Sequence, residues 1–233
     1  SYIGSFVIDS TGGIWFAEQN WNYDEASEIY SSKTQIRNIK PDGTEIASYE
    51  LSDSSDYSAD YLLAGKNGEI YFNVGPKVYS IIDGKIESSD NLGIEYITRL
   101  VADKSGNLYV AYGGSEGDTY KLFIKKYNPN TKSLGEEADI PDTAKSNVYS
   151  LTTGPEYDFY YNTNTALYGC NIGDTEATEL CNWLNSDFDA DYVSSYQVLE
   201  DGRLVVSASS HATEYMPSVY LMTKRSDSDN VEK

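Results

Sequence analysis

Three carboxylates at alternating positions, Asp187, Asp189 and Asp191, have the most metal-like spacing in this chain. Side chains at i, i+2 and i+4 of a loop can converge on one cation, and Ca2+ accepts about six to eight oxygens of this kind. The EF-hand pattern then demands Gly at the sixth loop position and Glu at the twelfth. Tyr192 and Val198 stand there instead, so a solvated acidic loop is the rival reading. No cofactor is expected apart from that possible Ca2+. The one histidine, His211, lies in the loop Ser209–Pro217 before the last strand. A single imidazole cannot build a multi-His metal cluster, and a Ser-His-Asp arrangement could draw on His211 alone. His211 therefore reads as a loop residue, or as a ligand contact.

Aromatic residues form the other candidate constellation. The segment Glu18–Ser32 reads as a long loop carrying Trp21 and Tyr23 beside Asn20, Asn22, Asp24 and Glu25. Corresponding loops further along carry Tyr112, Tyr120, Tyr161 and Tyr215. Trp and Tyr rings stack on sugar faces while neighbouring amides and carboxylates bond the hydroxyls, and the same groups can anchor a protein partner. Packing between sheets is the alternative use for such rings. Trp21, Tyr23, Tyr112, His211 and Tyr215 are the candidate ligand-binding residues; no catalytic residue stands out. With 37 Asp and Glu in the chain, carboxylate pairs arise by abundance alone and do not single out a glycosidase-type pair.

These residues need a scaffold, and the chain repeats one. A turn Gly, a spacer and two or three apolar residues recur as Gly12-Gly13-Ile14-Trp15-Phe16, Gly68-Glu69-Ile70-Tyr71-Phe72, Gly106-Asn107-Leu108-Tyr109-Val110 and Gly202-Arg203-Leu204-Val205-Val206. A degenerate copy is Tyr157-Asp158-Phe159-Tyr160-Tyr161. Each copy is preceded by a short apolar strand and followed by another. The first four continue through Gly, Pro, Asn or Asp turns into a closing strand. The spacing approximates the roughly 40–45-residue period of four-stranded propeller blades. The expected fold is all-β: a β-propeller of four-stranded antiparallel blades, about five in this chain, the last lacking its fourth strand. The blades fall at about 1–54, 55–94, 95–144, 145–187 and 188–233, within one domain and with almost no helix. Cys170 and Cys181 share the fourth blade's last hairpin. They face each other only if its turn centres between Thr175 and Glu176, so a disulfide and two free thiols both stand open.

The composition excludes several partners. Asp and Glu outnumber Lys and Arg by 37 to 17, a formal net charge of −20. Such a surface repels nucleic-acid phosphate and anionic headgroups. No apolar run approaches the 18 or so residues of a spanning helix. Neither nucleic acid nor direct membrane contact is expected, and the chain reads as a monomer.

The run Thr178-Glu179-Leu180-Cys181-Asn182-Trp183-Leu184-Asn185-Ser186-Asp187, with Val198-Leu199-Glu200-Asp201-Gly202-Arg203-Leu204 and Tyr220-Leu221-Met222-Thr223-Lys224-Arg225, resembles a known segment. It is similar to the propeller-like portion preceding the sugar-type solute-binding domain in extracellular lipoproteins of gut Firmicutes. That resemblance implies an extracellular, lipid-anchored protein that continues into a substrate-binding domain. The first expected function is thus a non-enzymatic extracellular binding module that holds a glycan or a protein partner at the cell surface. The rivals are a propeller hydrolase or lyase using Asp/Glu, and a structural spacer with no ligand.

Overall fold

The computed structural model describes residues 2–25, 29–51, 58–116, 119–145, 148, 150–183, 192–209, 216 and 218–222. The fold is an all-β propeller of antiparallel blades, four with four strands and a last one with three. The first sheet runs β1 (Tyr2–Ile8), β2 (Ile14–Asp24), β3 (Ile29–Ile39), β4 (Glu45–Glu50). The second is β5 (Ala59–Ala64), β6 (Ile70–Val74), β7 (Lys77–Ile82), β8 (Lys85–Ser88), and the third β9 (Ile97–Ala102), β10 (Leu108–Glu116), β11 (Thr119–Asn128), β12 (Ser133–Glu137). The fourth is β13 (Ser150–Thr152), β14 (Phe159–Asn162), β15 (Ala166–Cys170), β16 (Thr178–Asn182), and the fifth β17 (Tyr192–Val198), β18 (Leu204–Ser209), β19 (Ser218–Met222). Strands neighbour one another in chain order in every sheet. A 3₁₀ turn at Asp142–Lys145 is the only helical element among the described residues. The chain divides into two compact units: residues 1–101, 106–113 and 123–137 in one, and 102–105, 114–122 and 138–233 in the other.

The repeated turn has a local cause. Gly12, Gly68, Gly106 and Gly202 all take positive φ, between +81° and +88°, where a side chain is strained and glycine is not. In the first copy Asp9 completes the turn. Its Oδ1 accepts from the Thr11 N–H (2.8 Å), the Thr11 hydroxyl (2.7 Å) and the Gly13 N–H (3.0 Å). Its Oδ2 accepts from the Trp15 indole at 2.7 Å, so the turn also fixes the first core residue of β2.

In the first unit, alternation sets the core. Trp15, Ala17 and Ile36 of the first sheet pack with Ile70, Phe72 and Val74 of the second, and Trp15 stacks on Tyr49 at 6.0 Å. In the second unit Tyr160, Leu167 and Trp183 pack with Tyr196, Val198, Val206 and Ala208. The Tyr196 hydroxyl donates to the Tyr160 carbonyl at 2.8 Å and the Ser150 carbonyl at 3.3 Å, tying the fifth sheet to the fourth.

Two expectations change, and one pair of open readings is decided. The segment Glu18–Ser32 is mostly hairpin rather than loop: β2 and β3 stay paired through Trp21↔Ser32 and Tyr23↔Tyr30, because Trp, Tyr and Ile suit a pleated ladder. Tyr112, Tyr120 and Tyr161 likewise lie on strands β10, β11 and β14. Tyr161 is fully buried and stacked on Tyr168 at 5.3 Å. For the cysteines, where a bridge and free thiols both stood open, Gly173 at φ +90° sets the turn at Gly173-Asp174. Gly169 then faces Thr178, and Leu167 faces Cys181, so the two cysteines are offset and free.

Candidate functional site

The outer end of the β2–β3 hairpin carries the clearest unfilled surface in the first unit. Along β2, Trp15, Ala17 and Gln19 point to the buried face and are covered. The pleat puts Trp21 and Tyr23 on that same face, yet they extend past the core and are 58% and 47% exposed. Tyr2 faces Gln19 across β1–β2, which places it diagonal to Trp21, and it too is exposed. Gln19, the preceding residue on that face, is only 5% exposed and its Nε2 has no hydrogen-bond partner. A buried amide donor without an acceptor costs about 1–3 kcal/mol.

Sequence reasoning found Trp21 and Tyr23 but not Tyr2 or Gln19. The period-two run Trp15, Ala17, Gln19, Trp21, Tyr23 was the available signal. Tyr112 belongs to the third sheet, where its half-buried ring stacks on Phe123 at 5.5 Å with the Lys125 ammonium 6.0 Å from its centre. His211, Tyr215, Asp187, Asp189 and Asp191 lie outside the described residues. Among the described residues no three of His, Cys, Asp and Glu gather as a metal site.

Other chemistry is thinly furnished. Glu18 and Glu45 are both held by Arg37, at 2.9 and 2.6 Å, so this carboxylate pair is committed to a guanidinium. The carboxyls of Asp9, Asp42, Glu69 and Asp201 all lie below their ordinary range. For Asp9, burial pushes upward, and the bonds from Thr11, Trp15 and Gly13 together outweigh it. For Asp201 the bond from Arg203 leads. A general acid needs the opposite shift. The expectation from sequence that the chain has no Gly-x-Ser-x-Gly motif is corrected by Gly113-Gly114-Ser115-Glu116-Gly117, which spells one. Ser115 lies within β10 and not on the strand-to-helix turn that makes a nucleophile elbow. Burial pushes the Cys170 thiol up to about 12, with Asp174 and Asp158 adding to it, the reverse of a reactive cysteine. A concavity of about 510 Å³ lies between the turns at Thr11–Gly13 and Lys40–Asp42, with Ile46 at its side.

No family model matches this chain, and no curated protein matches it. Solved structures do. A glucose dehydrogenase aligns over 96% of this chain and 83% of its own, with 10% identity and a TM-score of 0.53. A candidate gluconolactonase aligns over 94% and 88%, with 11% identity and a TM-score of 0.50. The extracellular domain of a candidate hybrid two-component system from B. thetaiotaomicron aligns over 97% of this chain, with 12% identity and a TM-score of 0.47. This chain spans only 38% of that third protein's length. At these identities the likeness is one of fold.

Proposed function

We propose that this chain is a non-enzymatic carbohydrate-binding module that works outside the cell, as part of a lipid-anchored solute-binding protein. The observation that carries the reading is the exposed aromatic row Tyr2, Trp21 and Tyr23, raised beyond the core at the end of the β2–β3 hairpin. Trp21 and Tyr2 offer flat faces for a pyranose ring. Two propellers alike in fold are named for glucose and gluconolactone chemistry, in keeping with a sugar ligand, although a shared fold carries no activity by itself.

A glycan array on the whole chain, followed by calorimetry with the best ligand, tests the reading. Trp21→Ala should weaken binding about ten-fold or more, the scale of one lost stacking anchor. An array without signal for the unaltered protein removes the sugar-binding reading.

A further inference from the structure

A second polar feature of the first unit lies away from the hairpin, on the first strand of each sheet. Counting back equally from Ile14, Ile70 and Leu108 leads to Ser5, Tyr61 and Arg99. They occupy one repeat position on β1, β5 and β9, and all are half-buried. The three are linked in space. Ser5 Oγ accepts from the N–H of Leu62, the residue after Tyr61, at 3.0 Å. The Arg99 guanidinium lies 4.8 Å from the centre of the Tyr61 ring. A polar line thus crosses three neighbouring strands whose adjacent residues Leu62 and Leu100 are core.

Two independent features set this line apart. Tyr61 has φ +51°, a conformation that favours glycine and strains a bulky side chain. It sits in a bulge, where the pairing steps from Asp60↔Asn73 to Leu63↔Tyr71. Bulges re-aim side chains, and strain of this kind persists where surrounding structure holds it. Arg99, meanwhile, has neither an ion pair nor a hydrogen bond from its guanidinium among the described residues. In a chain with net charge −20, a half-buried arginine without a carboxylate is conspicuous.

We infer that Ser5, Tyr61 and Arg99 form a receptor for the carboxylate of a sugar acid. The guanidinium fork, 4.8 Å from the centre of the Tyr61 ring, matches a carboxylate in bidentate fashion. The hydroxyls of Ser5 and Tyr61 are assigned as further donors to the same group or to an adjoining sugar oxygen. The net negative charge favours a monoanion over a dianion such as phosphate, since repulsion grows with ligand charge. The site shares no residue with the hairpin and stands independently of it.

Calorimetry on the whole chain with glucuronate, glucose and inorganic phosphate tests the assignment. Glucuronate should bind at least about ten-fold more tightly than glucose, and added salt should weaken glucuronate binding and leave any glucose binding at the hairpin unchanged. Arg99→Gln should cost about ten-fold or more, as loss of a charge-assisted pair does. Arg99→Lys, which keeps the charge and loses the fork, should also weaken binding and covers the case in which Arg99→Gln does not fold. Trp21→Ala should leave glucuronate binding unchanged, which separates this site from the hairpin. Absence of glucuronate binding, binding untouched by both Arg99 variants, or binding of phosphate alone overturns the inference.

Discussion

Removing the Asp9 carboxylate should unravel the first repeat turn from its centre. In Asp9→Ala four donors lose their acceptor: the Thr11 N–H and hydroxyl, the Gly13 N–H and the Trp15 indole N–H. Thr11 is exposed, and water replaces its partner at little cost. Trp15 and Gly13 are buried, so each keeps an unsatisfied donor at about 1–2 kcal/mol. The expected loss is about 2–4 kcal/mol, a fall in Tm of roughly 5–12 °C for a chain of this size. Asp9→Asn can keep the Oδ1 bonds but sets an amide donor against the indole donor, so it should lose about 1–2 kcal/mol. Combining Asp9→Ala with Trp15→Phe in a double-mutant cycle isolates the indole bond, with an expected coupling of about 1–2 kcal/mol. The pH dependence has a fixed sign. Asp9 has a lower pKa folded than unfolded, so its contribution is present above the unfolded value near about 3.9 and is lost as pH falls through the folded one. Urea titrations followed by circular dichroism should therefore show the wild type and Asp9→Ala converging in strongly acidic solution. A difference below about 0.5 kcal/mol at neutral pH, within ordinary surface variation, or a gap that widens in acid, would refute this account of the turn.

Two further predictions concern buried hydroxyls and thiols. Tyr196→Phe removes the donor to the Tyr160 and Ser150 carbonyls and should cost about 1–2 kcal/mol. Hydrogen exchange should quicken in the fourth and fifth sheets and stay unchanged in the first and second. Burial holds the Tyr127 phenol and the Cys170 thiol neutral, each pushed up to about 12. Their neutral forms are favoured folded, so this stability is whole below the unfolded pKa values and drains away between about pH 9 and 12. Denaturation midpoints should fall across that window, and a thiol reagent at mildly alkaline pH should reach Cys170 only on unfolding.

The propeller was legible because its punctuation is chemical. A positive φ at the same repeat position demands glycine, so Gly12, Gly68, Gly106 and Gly202 mark the turns in the sequence as they do in the structure. The three-stranded last sheet was legible for the same reason, since no turn-and-strand signal follows Met222. The hairpin at Glu18–Ser32 was misread because both faces of its outer half are solvated. Asn20 and Asn22 look like loop residues when the alternate positions are overlooked. The cysteine offset depended on which turn residue takes positive φ, and Gly173 claimed it. That two-residue choice decides whether thiols meet.

The tyrosines show why the candidate sites were harder to read than the fold. Their number, 22 of 233 residues, points to function only if most are not needed for packing, and many are. Tyr160 and Tyr196 bury their rings; the Tyr160 hydroxyl accepts from the Glu156 and Tyr157 N–H groups, and the Tyr196 hydroxyl donates to the Tyr160 carbonyl. Tyr127 and Tyr71 are buried in the first unit. What separates Tyr2, Trp21 and Tyr23 from these is a boundary: the core ends at Gln19 while the ladder runs on. Such a boundary depends on where the neighbouring sheet stops, which lies in tertiary structure. Tyr61 is read the same way. Its residue type fits any strand, β1 carries a bulge at the same repeat position, and only the left-handed backbone beside Arg99 distinguishes it. Function in a repeated fold is therefore to be sought where one copy departs from its siblings in backbone or in length, and both candidate sites lie at such departures.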